Sequence, residues 1–504
     1  MPNRRMQSRG RVALASVALC ALSAAAFAND LPPSSESAAK LQAFLSTYLG
    51  KAAPPAVSPA NPGFSVAFDL AAAAAPLATA GFAIDPATAK YHVVEQSDGL
   101  WRAEFSDFPT LVVHFHQPSG NPPLVGTETF AFVNPKGQAL IDPALGFWRS
   151  AATAVDSVNL EAIFPGIKET VQAAGLKFDA TGQADADGSI SSTMNHTASN
   201  FSFKVDVDPK ALKAAKSGGD APATDAQPYS IDVSGGQMSA DIKLNALKTH
   251  ALLDLWAFLV AHPSRAELAA QEATFKSLLT AAVAGQPKLD ETASLEKVTA
   301  QTGQGAVTMD SAKVGISGAG GSAGAFGERF AVDGLKLPDG LVPEAFRGLA
   351  PTSFAVGFRA SGFDVAATAA EAIADMRLAG DGPIIAPDDA AKVRAKLIGP
   401  DGIVVDVEPS HIVAPLLDLS FAGRIVLKGA KPTGTMTVHM KNFDKTLAAL
   451  KTLGPDVETK AAPMLAMAKG LAKTDSDGSL VWVGEIGADG VMKVNGLPLG
   501  KAPM

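Results

Sequence analysis

The chain has 504 residues, 47% of them hydrophobic, with 42 Lys and Arg against 50 Asp and Glu and a net charge of −8. The basic residues are scattered and no basic stripe with interleaved aromatics occurs, which argues against a nucleic-acid partner. A single cysteine, Cys20, rules out a disulfide framework, so the fold rests on its core.

The first element has the pattern of a leader. Arg4, Arg5, Arg9 and Arg11 precede an apolar stretch, Val12–Ala25, and Ala26-Phe27-Ala28 forms an A-x-A cleavage signal. The stretch is shorter than the about 20 apolar residues of a spanning helix. A secretory signal peptide is therefore expected over 1–28, with Ala26 and Ala28 as the cleavage positions. Met6-Gln7-Ser8 after Arg4-Arg5 fits twin-arginine export poorly. Leu19 before Cys20 is not the small residue that lipid attachment wants. Cleavage removes four arginines and no acid, taking the net charge from −8 to −12 and leaving 476 residues without cysteine. No second stretch of 18 apolar residues occurs, so no transmembrane segment is expected in the mature chain.

Residues 29–62 are rich in Ala, Pro and Ser. They are expected to be a tether with one short docking helix, Ala38–Tyr48, whose Leu41, Phe44, Leu45 and Tyr48 share a face. From Gly63 the pattern becomes period two. "FSVAFDL", "YHVV", "WRAEF", "TLVVHFH" and "ETFAFV" are separated by Pro, Gly, Asp and Asn, which predicts antiparallel hairpins. This N-terminal β-rich part runs over 63–216. "KSGGDAPATDAQP" at 216–228 is the candidate linker or long loop. A C-terminal strand-helix part follows over 229–504, either separate from 63–216 or continuous with it.

A strand running into an amphipathic helix recurs at 201–216, 238–259, 352–376 and 434–453, often through an Asp, Asn or Lys joint that suits a helix start. Two helices broken at His262-Pro263 are expected over 247–284. The fold class is α+β: a long curved antiparallel sheet built from hairpins, with helices inserted after strands and packed on one side.

The chemical motifs are fragmentary. His114 and His116 share a strand face and could ligate a metal, but no third ligand is in the pattern, and a polar strand face explains them. Gly318-x-Gly320-x-x-Ala323 imitates a dinucleotide fingerprint but lacks the following helix. Gly320-Gly321-Ser322-Ala323-Gly324 imitates a nucleophile elbow, with His411 and His439 downstream, yet a hairpin tip explains five glycines in the ten residues 318–327 better. Ser37-x-x-Lys40 lacks the companions of the penicillin-binding motif set. Asp185-x-Asp187-Gly188 and Asp475-x-Asp477-Gly478 resemble calcium loops without the remaining ligands, and Asp-Gly is ordinary turn chemistry. No carboxylate pair stands out as acid and base. No catalytic, cofactor-binding or metal-binding residue is assigned, and no cofactor is called for.

The closing third carries a resemblance. "FAGRIVLKGAKPTGTMTVHMKNFDKTLAALKTLG", then "VETKAAPMLAMAKGLAK", then "GSLVWVGEIGADGVMKVNGLPLG" give strands, an Asn-Phe-Asp joint, two helices and closing strands. This order resembles the exported Gram-negative bacterial family catalogued as domain of unknown function 2125. More distantly it resembles AsmA-like envelope proteins, through Gly490, Val491, Val494, Gly496, Leu497, Pro498 and Leu499. The resemblance covers about Phe421–Pro503 and brings no catalytic residues. It implies a periplasmic location and a curved sheet able to form an apolar trough for lipid. The inserted helices and missing membrane anchor depart from the AsmA-like pattern.

The leading expectation is thus a non-enzymatic periplasmic protein of the cell envelope that binds lipid or another apolar ligand on its sheet. The alternatives are a structural or assembly factor that binds envelope proteins by a strand edge, and a serine hydrolase using Ser322.

Overall fold

The computed structural model describes residues 30–49, 54–75, 78, 81–117, 124–211, 227–380, 382–429, 431–451 and 455–501. The leader expected at 1–28 lies outside them. Contacts divide the chain into two compact units. One runs to Gly285 and includes Arg377–Gly382; the other comprises Gln286–Met376 and the chain from Pro383 on.

The first unit opens with helix α1 (Ser35–Leu49). Ser34 caps it, its hydroxyl accepting from the Ser37 N–H at 3.0 Å. Strands β1 (Ala56–Pro59) and β2 (Phe64–Asp69) follow, then the one-turn helix α2 (Leu70–Ala74). Short strands β3 (Phe82–Ile84), β4 (Thr88–Glu95), β5 (Trp101–Phe105), β6 (Leu111–Gln117), β7 (Leu124–Val133) and β8 (Lys136–Asp142) precede four long ones. These are β9 (Phe147–Phe164), β10 (Ile167–Ala184), β11 (Ile190–Val207) and β12 (Tyr229–Leu247). Helices α3 (Thr249–Ala261), α4 (Arg265–Ala270) and α5 (Glu272–Val283) close the unit.

Pairing is antiparallel throughout, in the order β1, β2, β4, β5, β8, β9, β10, β11, β12. Because side chains alternate with period two, cross-strand partners share a face. One row of partners reads Phe64, Val93, Ala103, Ala139, Ala151, Ala180, Met194, Ile242; the next reads Ser65, His92, Glu104, Gln138, Ala152, Asp179, Asn195, Asp241. The sheet is therefore apolar on one side and polar on the other. Strand β9 divides one edge between β8, opposite 147–154, and β7, opposite 157–163. Its apolar residues change phase at that point, from Ala151 and Val155 to Val158, Leu160 and Ala162, so the second set faces the opposite side with Phe130 and Phe132 of β7.

The second unit repeats the scheme with β13 (Lys288–Thr302), β14 (Gly305–Ala319), β15 (Gly324–Asp333) and β16 (Ser353–Phe363). Helices α6 (Val365–Asp375) and α7 (Pro387–Lys396) come next, then β17 (Ile403–Ala414), β18 (Leu417–Lys428) and β19 (Lys431–Lys441). Helices α8 (Phe443–Lys451) and α9 (Pro455–Leu471) precede β20 (Lys473–Thr474), β21 (Leu480–Ile486), β22 (Val491–Val494) and β23 (Leu497–Lys501). An apolar row (Phe326, Ala360, Val405, Ile425) again lies beside a charged one (Gly327, Arg359, Asp406, Arg424). The long open antiparallel sheet of hairpins is thus present, and helices follow β12, β16 and β19 as the strand-helix rhythm requires. The helical part of the 201–216 unit beyond Ala211 lies outside the described residues.

The docking helix expected within 29–62 is present as α1, and its Leu41 is buried with Phe64, Val66, Val93 and Trp101. Residues 216–226 of the expected linker or long loop at 216–228 lie outside the described residues. Strands β11 and β12, on either side of it, pair in one hairpin from Val207↔Tyr229 to Ile190↔Leu247, and the contacts divide at Gly285–Gln286.

One turn recurs at Gln96–Leu100, Asp185–Ser189, Asp475–Ser479 and Gly487–Val491. In each the fourth residue is a glycine with φ between 74° and 83°, and the third is an aspartate whose carboxylate accepts the N–H two residues on. Asp187 also meets Lys248 at 3.0 Å, and Asp477 meets Lys441 at 3.1 Å. The Ser189 and Ser479 hydroxyls and N–H groups, then the lysines, hold both carboxyls well below the usual carboxylate range. The stability they contribute is fully present above the unfolded value of about 3.9 and is lost as the pH falls toward the folded values. The double variant Asp187→Asn, Asp477→Asn should lower the urea midpoint at pH 7. The gap to wild type should close as the pH falls below about 3. A gap unchanged from pH 7 to pH 2 would refute this account.

Candidate functional site

An apolar cavity of about 570 Å³ lies between α1 and the apolar face of β2, β4, β5 and β8. Leu41, Phe44 and Leu45 form the helix wall, and Val66, Phe68, Ala89, Tyr91, Val93, Ala103, Phe105, Ala139 and Ile141 form the sheet wall. The small residues at 89, 103 and 139 create the space. Large aromatics frame it: Phe68 meets Tyr91 at 5.4 Å, Tyr91 meets Phe105 at 5.8 Å, and Phe64 meets Trp101 at 6.5 Å between ring centroids. The two contacts of Tyr91 are edge-on, a geometry that contributes beyond what area alone supplies.

Polar groups are few. Burial pushes the Tyr91 phenol up. Lys40 contributes to the lining while its ammonium pairs with Glu36 at 2.9 Å in solvent. Two tethers hold α1 over the cavity. The Ser37 hydroxyl donates to the Glu95 carboxylate near one end, and the Trp256 indole N–H of α3 donates to the Tyr48 carbonyl at the other, 2.8 Å away. Ser37 and Lys40 are therefore engaged in holding the helix, which accounts for the Ser37-x-x-Lys40 match without chemistry.

The other motifs fall apart on inspection. Among the described residues no group of three or more His, Cys, Asp or Glu converges on a metal position. His114 meets Asp85 at 2.9 Å and the Thr127 hydroxyl at 3.4 Å, in a half-exposed setting on β6. His196 packs against Phe178 with ring centroids 4.6 Å apart and is held below its ordinary value by burial. His92, His250 and His262 meet the backbone carbonyls of Pro62, Ala144 and Phe258. The glycine-rich loop is the tip of the β14–β15 hairpin, with one 3-10 turn at Gly321–Ala323 and a strand, not a helix, after it. Gly321 has φ +78°, and a Cβ there would meet Gln286 at 2.6 Å.

Ser322 stands beside the row Gly324↔Phe363, whereas His411 and His439 share a row with Ala355. Ala355 and Phe363 are eight residues apart on β16, about 26 Å at roughly 3.3 Å per residue. The elbow and its two histidines are not brought together. Ser322→Ala should therefore leave the melting curve within about 0.5 kcal/mol of wild type and leave ligand binding unchanged. Loss of either on that substitution would revive a role for the hydroxyl.

Sequence reasoning missed the cavity. The signal lay in the alternation of alanine with large aromatics at matching strand positions, which only the register reveals. In the second unit a related surface is open: Phe326, Phe330, Val356 and Phe358 are about two-fifths exposed on the apolar side of β15 and β16. The same side is covered elsewhere, where the Trp482 indole donates to the Ala468 carbonyl of α9 at 2.7 Å and packs on Phe443 of α8. Comparison with family models, with curated proteins and with solved structures returned no match.

Proposed function

We propose that the first unit is a carrier for an apolar ligand, lipid above all, in a protein exported to the cell envelope and held in the periplasm. The observation that carries this reading is the cavity beneath α1. Its volume falls within the about 300–1,000 Å³ usual for small-molecule sites, and its wall is aliphatic and aromatic. Filling it with an apolar chain removes its aliphatic and aromatic lining from water. If a methylene takes about the 30 Å³ share of a water molecule, one chain of fewer than about twenty carbons fits. Export is supported by Arg4, Arg5, Arg9, Arg11 and the Ala26-Phe27-Ala28 signal, and the chain from Asp30 on is already fastened into the fold by Arg102 at 2.8 Å. No helix among the described residues is long and apolar enough to cross a membrane. The proposed role needs no reaction, and helices lying over the apolar side of a curved sheet serve it as lids.

The test starts from protein isolated natively from a periplasmic extract. Its intact mass under gentle conditions should exceed that of a chain beginning at Asn29 by one lipid or fatty acid, recoverable with organic solvent. Ala103→Phe fills the cavity from the sheet side, so it should abolish the added mass while costing at most about 1–3 kcal/mol of stability. A clean apoprotein mass for the wild type would remove the carrier reading and leave a structural or partner-binding role in the envelope.

A further inference from the structure

The polar side of the same sheet holds a second concavity, of about 1100 Å³. Its floor is made by alanines. Lys136 of β8 and Lys177 of β10 are both direct partners of Ala154 on β9, so the three share one face. With strands about 4.8 Å apart, the two lysine backbones stand about 10 Å from each other with only a methyl group between them. One row along, Ala152 separates Gln138 from Asp179 in the same way. Lys90 of β4 adds a third ammonium to the lining.

None of these three lysines has an ion-pair partner among the described residues, although acids outnumber bases in the chain. Of the acids in the lining, Glu104 is engaged by Arg102 at 2.9 Å and faces His92 at 3.8 Å. Asp107 and Asp179 complete the set. Three ammoniums stand with three carboxylates in the lining, one of them already engaged by Arg102, so the attraction for a counter-ion is local to the notch over Ala154. The notch over Ala154 has room for a compact anion, and an ammonium on each side to donate to its oxygens.

We propose that this concavity is an anion site, in which Lys136 and Lys177 clamp a phosphate group over Ala154, with Lys90 as a further donor. The phosphate belongs either to a soluble phosphate ester or to a lipid headgroup. The site lies on the polar side of the sheet and meets the apolar cavity at Tyr91 and Phe105, which line both.

The experiment uses the whole mature chain at low ionic strength. Calorimetry with inorganic pyrophosphate should show saturable binding that weakens with added salt. The variant Lys136→Gln, Lys177→Gln should bind about tenfold more weakly or worse, since two charge-assisted hydrogen bonds are lost. Both lysines are exposed, so its melting curve should match wild type. Lys288→Gln, Lys313→Gln, on the other unit, serves as the control and should bind as wild type does. In a parallel arm, phosphatidylcholine vesicles are compared with vesicles that also contain phosphatidylglycerol. Binding of pyrophosphate alone would assign a soluble phosphate ester. Binding to the anionic vesicles that the double variant loses would assign a headgroup. Equal binding by wild type and the Lys136/Lys177 variant, an equal loss in the control, or no saturable binding to either probe would each overturn the proposal.

Discussion

Cross-strand register is the constraint on which everything else in this protein depends. A period-two chain in antiparallel pairing has no freedom over which side chains become neighbours: a slip of one residue would send every apolar group to the polar side. Eight strands of the first unit keep register closely enough that one row is apolar from Phe64 to Ile242 while the adjacent row is polar from Ser65 to Asp241. Both concavities of that unit are consequences. The apolar one exists where Ala89, Ala103 and Ala139 fall in line with aromatics, and the polar one where Ala152 and Ala154 fall in line with lysines.

The sheet was legible in the sequence because alternation is a local signal, and so were the helices after β12, β16 and β19, whose joints carry residues that start helices. The Asp-Gly turns were legible for the same reason. What failed had no local signature. Gly, Pro and Asp at 216–228 suit a linker and a long loop equally, and the composition does not say that the strands on either side, β11 and β12, pair with each other. The amphipathic face of Leu41, Phe44 and Leu45 announced that the first helix would be buried, but an Ala, Pro and Ser-rich setting concealed that its partners lay on β2, β4 and β5. The composition of a lined cavity is that of a packed core. The lysine notch is assembled from three strands whose order in space cannot be read from any one of them.

The two units share a device for joining strand to helix. In the first, β12 is followed by Lys248, which grips the Asp187 turn before the adjacent strand, and Thr249 at the head of α3 donates to the Leu145 carbonyl at 2.7 Å. In the second, β19 ends in Lys441, which grips the Asp477 turn beside β21, and Thr446 of α8 donates to the Leu416 carbonyl. Ser189, Thr249, Thr446 and Ser479 are all buried. A buried hydroxyl must find an acceptor, so each of these contacts fixes where its helix leaves the sheet. Side chains that a motif search would offer as ligands or nucleophiles are here spent on geometry.

One of the two tethers of α1 spans a long stretch of chain. Ser37 reaches Glu95 across 58 residues, and the Tyr48 carbonyl receives the Trp256 indole across 208. The helix is among the first parts of the described chain to be synthesised, yet its second anchor, 208 residues further on, is made only when about two-fifths of the protein has followed. Contacts of such sequence separation form late and slowly. Until then an amphipathic segment waits beside a sheet whose floor is still being laid, strand by strand, from β2 to β8. The concavity under α1 is thus bounded by an early piece of chain and a much later anchor, and it is completed toward the end of folding rather than at the start.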